Sequence, residues 1–205
     1  MPRVREFDPE EALDKAVDLF WRKGFCDSSM DALVTQTGVS RKGLYSVFGN
    51  KRDLFLAALN RYQQTFGREF FAPLMAEGAG LEDLYQFFQM MAQLAASEQG
   101  RLGCFVCNTA IDLAPHDAEI QHNVLNYYDW MQRLFSRVLR NAVKRGELSL
   151  DFEVDPYARF LVGAFEGIVV LARAGADSSF IDALLKTAVE GLGLTWKGRS
   201  TTRDN

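Results

Sequence analysis

Apolar residues recur three and four apart along most of the chain, and no stretch alternates apolar with polar positions as a strand would. The spacing predicts an all-helical protein. A first helix starts at the cap Asp8, with Pro9 in its first position and Glu10 and Glu11 behind it. Its stripe is Leu13, Ala16, Val17 and Phe20, and Gly24 stops it. A second short helix carries Met30, Leu33 and Val34 and ends near Gly38. A third runs from a Ser40 cap to about Phe48. A fourth, capped by Asn50, should bury Leu54, Phe55, Ala58, Leu59 and Tyr62 and continue past Tyr62 as a strut into the second half. Five further helices are expected over 80–97, 103–113, 117–145, 155–174 and 178–194. The longest has Ile120, Val124, Tyr127, Met131, Leu134, Val138 and Ala142 on one stripe. All five prolines fall at plausible helix starts, loops or stops. The division expected is residues 1–60 and residues 61–205.

Composition narrows the class. Hydrophobic residues make up 48% of the 205, enough for a core and too many for a disordered chain. No run of 18 apolar residues suggests a membrane span. Arg3, Arg5, Glu6 and Asp8 are unlike a secretory leader, and three cysteines are an odd number, so a cytoplasmic protein with reduced thiols is expected. The net charge of −4 is unevenly spread. The first 60 residues hold nine basic and nine acidic residues, and the rest hold 14 against 18. Between Ser40 and Asp53 there are four cations, Arg41, Lys42, Lys51 and Arg52, and one acid. An acidic body with a small basic face suits a defined nucleic-acid site and limits indiscriminate adhesion.

That basic cluster sits in a recognisable layout. Two short helices, each opening on a serine cap and separated by Gly38, form a helix-turn-helix, whose second helix lies in the DNA major groove. Val39, Leu44 and Phe48 are expected to point inward, and Ser40, Arg41, Lys42, Tyr45 and Ser46 outward. Gly43 would leave a bare backbone patch that lets the helix sit deep in the groove. Arg41 and Lys42 are the best donors to guanine O6 and N7, and the Tyr45 hydroxyl reaches a phosphate. Lys51, and Ser28 or Ser29, stand at helix starts where free N–H groups hold anions. Arg3 and Arg5 are candidates for a flexible arm on DNA, although a solvated tail is the plainer reading.

Residues 10–59 resemble the DNA-binding domain of the tetracycline-repressor (TetR/AcrR) family of bacterial transcription regulators. The matching residues are Ala16-Val17-Asp18-Leu19-Phe20, Gly24-Phe25, Gly38-Val39-Ser40 and the run from Leu44 to Leu54. Cys26 and Asp27 replace a frequent small residue and threonine, and Ser46 replaces a common histidine. The resemblance implies a double-stranded, palindromic operator and a homodimer built through the last two helices. It also implies a ligand cavity in the second half whose small-molecule effector releases the DNA. A weaker resemblance covers Gly103-Cys104-Phe105-Val106-Cys107-Asn108-Thr109-Ala110, similar to a subgroup in which some members answer to electrophiles or oxidants through a cysteine.

Cavity residues are expected among the surplus aromatic and sulfur side chains: Phe88, Met91, Cys104, Phe105, Tyr127, Trp130, Met131 and Phe165, with Asn108 as the polar member. Cys104 stands near a helix start, which favours thiolate, with Cys107 one turn away. The alternative is a pair of small buried hydrophobes. Cys104, Cys107, His116 and His122 could be counted as a zinc set, but the eight residues before His116 are fewer than finger-type sites use. No metal, cofactor or catalytic set is expected, and the chain does not read as an enzyme. The competing classes are a helical binding protein with a vestigial DNA unit and a thiol-based redox protein. Salt-dependent, sequence-selective DNA binding separates them from a regulator.

Overall fold

A computed structural model describes residues 7–197, and among them every regular element is helical. Arg3, Arg5 and most of the polar C-terminal tail lie outside the described residues. The helices are α1 (Pro9–Lys23), α2 (Met30–Thr37), α3 (Arg41–Phe48), α4 (Lys51–Tyr62), α5 (Arg68–Met75), α6 (Leu81–Ala95), α7 (Phe105–Asp112), α8 (Ala118–Lys144), α9 (Val154–Ala174) and α10 (Ser178–Glu190).

The caps set the boundaries. Asp8 accepts from the Glu10 N–H, Ser29 from Ala32, and Ser40 from Gly43. Asn50 and Asp53 bond reciprocally across the first turn of α4. The buried residues of α4 are the five its spacing predicts. Its strut does continue, but through one π turn, Gln63–Gly67, into α5. Such a turn carries an extra residue and commonly marks a functional place in a helix. Pro73 is an exception to the expected proline positions, since it lies inside α5. Its missing N–H removes the ladder bond back to the Glu69 carbonyl, and the helix ends two residues later.

The long stripe of α8 is buried along its whole length. Asn141 on α8 donates to the carbonyls of Glu77 and Ala79 at 3.0 and 2.9 Å, pinning the turn between α5 and α6. α9 packs on α8, and α10 on α9 and α6. In the single chain, Phe160 and Val170 of α9 and Phe180 of α10 remain exposed. Ile111 of α7 is exposed as well.

One buried cluster runs through all of it. Phe105 of α7 is the link: its ring meets Phe55 at 5.4 Å and Tyr62 at 5.6 Å, and Phe55 meets Phe20 at 5.0 Å. Polar ties run alongside. Arg52 at the head of α4 holds Asp117, the cap of α8, through two bonds of 2.6 and 2.8 Å, and reaches Glu119 at 2.8 Å. Gln63, Asn123 and Asn60 form a second chain of bonds between α4 and α8.

Candidate nucleic-acid interface and the cavity behind it

The turn between α2 and α3 is fixed from within. Gly38 takes a left-handed conformation (φ 73°) that a side chain would strain, and its N–H caps α2 on Val34. The buried Thr37 hydroxyl donates to Leu33 and accepts from the Val39 N–H. Val39 and Leu44 are buried, and Phe48 packs on the core. This leaves Ser40, Arg41, Lys42, Tyr45 and Ser46 exposed on one continuous surface.

Several details differ from the sequence reading. Ser28 is fully buried and its hydroxyl donates to the Gly24 carbonyl, so it offers nothing to an anion; Ser29 is the cap. Gly43 is not a bare patch. A Cβ there would lie 2.8 Å from Val39 Cγ1 and 3.2 Å from Phe7, so packing against the protein itself excludes a side chain. The basic cluster is smaller than its count. Arg41 pairs with Asp31 at 2.6 Å, Arg52 is turned to Asp117 and Glu119, and Lys51 lies 4.3 Å above the Phe25 ring. Lys42 alone of the four has no acidic or aromatic partner among the described residues. The Arg41–Asp31 pair is solvent-exposed, and such pairs are weak enough for a phosphate or base to replace the aspartate. Ser46 donates to Gly43 within its own helix.

Behind this unit lies a partly open cavity of about 40 Å³. Of the expected residues, Met91, Cys104, Tyr127 and Phe165 line it. Phe88 and Met131 do not; both are buried in the core away from it. Trp130 stacks on Tyr127 and borders a surface groove instead. Phe105 and Asn108 border a second, smaller void of about 10 Å³ beside α1. The Asn108 amide donates to the Leu102 carbonyl at 2.9 Å, so its partner is backbone. The wall the sequence did not reveal comes from the hinge region: Trp21 on α1, Tyr62 on α4, and Phe66 and Gly67 in the π turn. Trp21 lies off the Leu13–Phe20 stripe, and a large aromatic there was the available hint of a second packing partner. Its indole Nε1 donates to the Gly103 carbonyl at 3.1 Å.

The thiols are not activated. Cys104 caps α7 but is buried, and burial pushes its pKa up to about 12, with the nearby Glu166 charge adding to the rise. Desolvation here outweighs the helix terminus that led to the expectation of thiolate. Burial pushes Cys107 higher still, again with Glu166 beside it. The Tyr62 hydroxyl lies 3.7 Å from the Cys104 sulfur, at which it is the donor. Among the described residues no group of three His, Cys, Asp or Glu side chains is placed to hold a metal ion.

A buried-cored helix-turn-helix with an outward cationic helix, joined to a larger helical body with an internal cavity, defines a DNA-binding regulator of the one-chain sensor type. Comparison with known proteins agrees. Residues 12–58 match the family model for bacterial regulatory proteins of the tetR family, and residues 80–188 match the tetracyclin repressor-like C-terminal domain. The HTH-type transcriptional repressor ComR of Escherichia coli K12 is 33% identical over 176 residues, covering 85% of this chain and 84% of ComR. The repressor BdcR of the same strain is 27% identical over 92% of this chain and 94% of its own. The solved structure of a cysteine mutant of the TetR family regulator CifR, complexed with 26-base-pair operator DNA, superposes with a TM-score of 0.80. It is 26% identical and covers 92% of this chain and 98% of that one. The chain therefore belongs to the TetR family of transcriptional regulators, and it is a ligand-responsive DNA-binding regulator.

Proposed function

We propose that this regulator is a repressor that holds a palindromic operator as a homodimer and releases it when a small, largely apolar effector occupies the cavity. In this reading residues 1–60 bind DNA, residues 61–205 bind effector and partner, and the protein works in the cytoplasm. The boundary falls within the α4–α5 rod, which makes that rod the mechanical link between the two functions.

The observation that carries the reading is the surface of α3. Ser40, Arg41, Lys42, Tyr45 and Ser46 are all presented outward on a helix anchored by buried Leu44. Arg41 and Lys42 read base edges in the major groove, while Ser29, Ser40, Tyr45, Ser46 and the Lys51 end of α4 contact phosphates. Two copies with a two-fold axis place their α3 helices in successive major grooves about 34–36 Å apart. CifR on 26 base pairs of operator offers a starting length for the DNA. The dimer face is supported by exposed Phe160, Val170 and Phe180, and by Gly163 and Gly167, where an added Cβ would meet no atom within 4 Å. That open strip allows a partner helix to come close. The cavity is favoured over a thiol as effector site because Cys104 and Cys107 are buried and protonated at neutral pH.

Arg41→Ala/Lys42→Ala is the direct test. Each lost base contact should cost about 1–3 kcal/mol, or roughly five- to 150-fold in operator affinity. Circular dichroism and sedimentation should be unchanged. Operator affinity that survives the double substitution in a fluorescence anisotropy titration at fixed salt would refute the assignment.

A further inference from the structure

The cavity itself indicates what kind of molecule it accepts. Its lining includes no Asp, Glu, Lys, Arg or His. A charged ligand would lose its hydration there with nothing to replace it. Two hydroxyls reach the cavity, and they differ. Tyr62 is engaged with the Cys104 sulfur. Tyr127 is 5% exposed, yet its hydroxyl makes no hydrogen bond with any described residue. The side chain is buried, but its oxygen opens on the cavity and is not sealed in the core, so it is available to a guest there. The oxygen lies against Gly67, where a Cβ would come within 2.8 Å of it, so the glycine keeps space for this group at the cavity wall. Burial holds the Tyr127 pKa well above its ordinary value, so the group stays a phenol and a donor at any physiological pH. Gln99 also borders the cavity but is exposed, so within the buried part of the lining Tyr127 is the free side-chain donor, and it selects an acceptor.

Size supplies the second half of the argument. A cavity of about 40 Å³ holds about three waters, whereas an apolar cavity that accepts benzene measures about 150 Å³. A ring-sized ligand must therefore displace part of the wall. Phe71, Met91, Phe165 and Ile168 are buried and held by the core. Trp21 is only partly buried and is tied by one hydrogen bond to Gly103. It also borders the small void beside α1, so the ring is loosely packed on that side as well. α1 packs on α2 and α4, so a moved Trp21 pushes directly on the elements that position α3.

We propose that the effector is an uncharged, ring-sized molecule with one acceptor oxygen, which takes a hydrogen bond from the Tyr127 hydroxyl and dislodges the Trp21 indole from the Gly103 carbonyl. Its consequence at DNA rests on the repressor reading above; the binding event does not. The test uses the full chain without DNA, labelled with fluorotryptophan, and fluorine NMR, with the Trp21 resonance assigned from Trp21→Phe. The probes are acetophenone, ethylbenzene (the same shape without the oxygen), benzoate and benzylammonium. Acetophenone should shift the Trp21 resonance and bind about five-fold more tightly than the more hydrophobic ethylbenzene, one hydrogen bond's worth. Tyr127→Phe should erase that preference while ethylbenzene affinity stays. Benzoate and benzylammonium should leave the resonance in place.

The proposal is overturned if either ion binds as tightly as acetophenone, if the preference survives Tyr127→Phe, if Trp21 stays fixed at saturation, or if no probe binds. Operator binding that is absent, or that acetophenone leaves unchanged, in a separate anisotropy experiment would sink the repressor reading and leave this one standing.

Discussion

The outer face of α3 and the cavity behind Trp21 differ in where their neighbours come from. Around α3, nearly every stabilising contact lies within about a dozen residues: the Ser40 cap, the Thr37 hydroxyl, Gly38 and the Arg41–Asp31 pair. Around the cavity, α1, α4, the π turn, α5, α6, the cap of α7, α8 and α9 each supply a piece, and a hydrogen bond in its wall joins Trp21 to Gly103 across the chain. The lesson is that the reading head is a local device and the sensor is a collective one. Substitutions at α3 should act one residue at a time, whereas substitutions near the cavity should be felt in both halves.

Phe105→Ala should break this contrast most severely if it is wrong. The ring is 2% exposed and joins Phe55 and Tyr62 to the second half. Its loss should cost about 3–5 kcal/mol, in a single denaturant transition shared by both halves. Two separated transitions would show that the halves are independent and that the link is not Phe105.

A smaller effect sharpens the local side. Ser40→Ala removes a cap and should cost about 1 kcal/mol of stability and weaken operator binding. Ser28→Ala should cost about as much through its lost bond to Gly24 and leave operator affinity alone. Equal losses of affinity in the two variants, measured by anisotropy, would put Ser28 back on the interface.

The polar tie between α4 and α8 gives a pH signature. The Arg52 guanidinium, followed by the Ile120 N–H, holds the Asp117 carboxyl well below the usual carboxylate range. Its contribution is complete above the ordinary aspartate pKa of about 3.9 and fades as the pH falls through the depressed folded value. The pair is solvent-accessible, so the effect is small. The stability gap between wild type and Arg52→Gln should be constant near neutrality and close in strong acid; a gap that grows with acid contradicts the assignment.

In the native protein, iodoacetamide should modify exposed Cys26 and spare Cys104 and Cys107 until denaturant is added. Mass spectrometry of the native digest decides it, and early labelling of Cys104 would restore the thiol as a candidate sensor.

Much of the first half was legible because its information is short-range. Caps, stops and the 3.6-residue stripes of α4 and α8 can be counted along the chain, and their buried residues follow; on α1 the count named Leu13 and Val17, which are half-buried, and passed over Ala12 and Leu19, which are buried. What the count missed was which way competing groups turn. Ser28 and Ser29 are equally good caps on paper, and only the bond from Ser28 to Gly24 separates them. Arg41, Lys42, Lys51 and Arg52 read as one positive patch, yet acids and a ring from elsewhere occupy three of the four. Phe88, Trp130 and Met131 carry the same signal as Met91 and Tyr127, because an aromatic or sulfur side chain on a buried stripe looks identical whether its far side meets a void or another ring.

Sequence by itself determined the helical class, the positions of the elements and the helix-turn-helix, since backbone capping and hydrophobic periodicity act between residues a few places apart. Tertiary structure alone decided that Trp21 lines the cavity, that Cys104 is a protonated core thiol, and that Lys42 is the least encumbered of the four cations. Burial, void and charge partnership are properties of surfaces brought together from distant parts of the chain, and no spacing along a line encodes them.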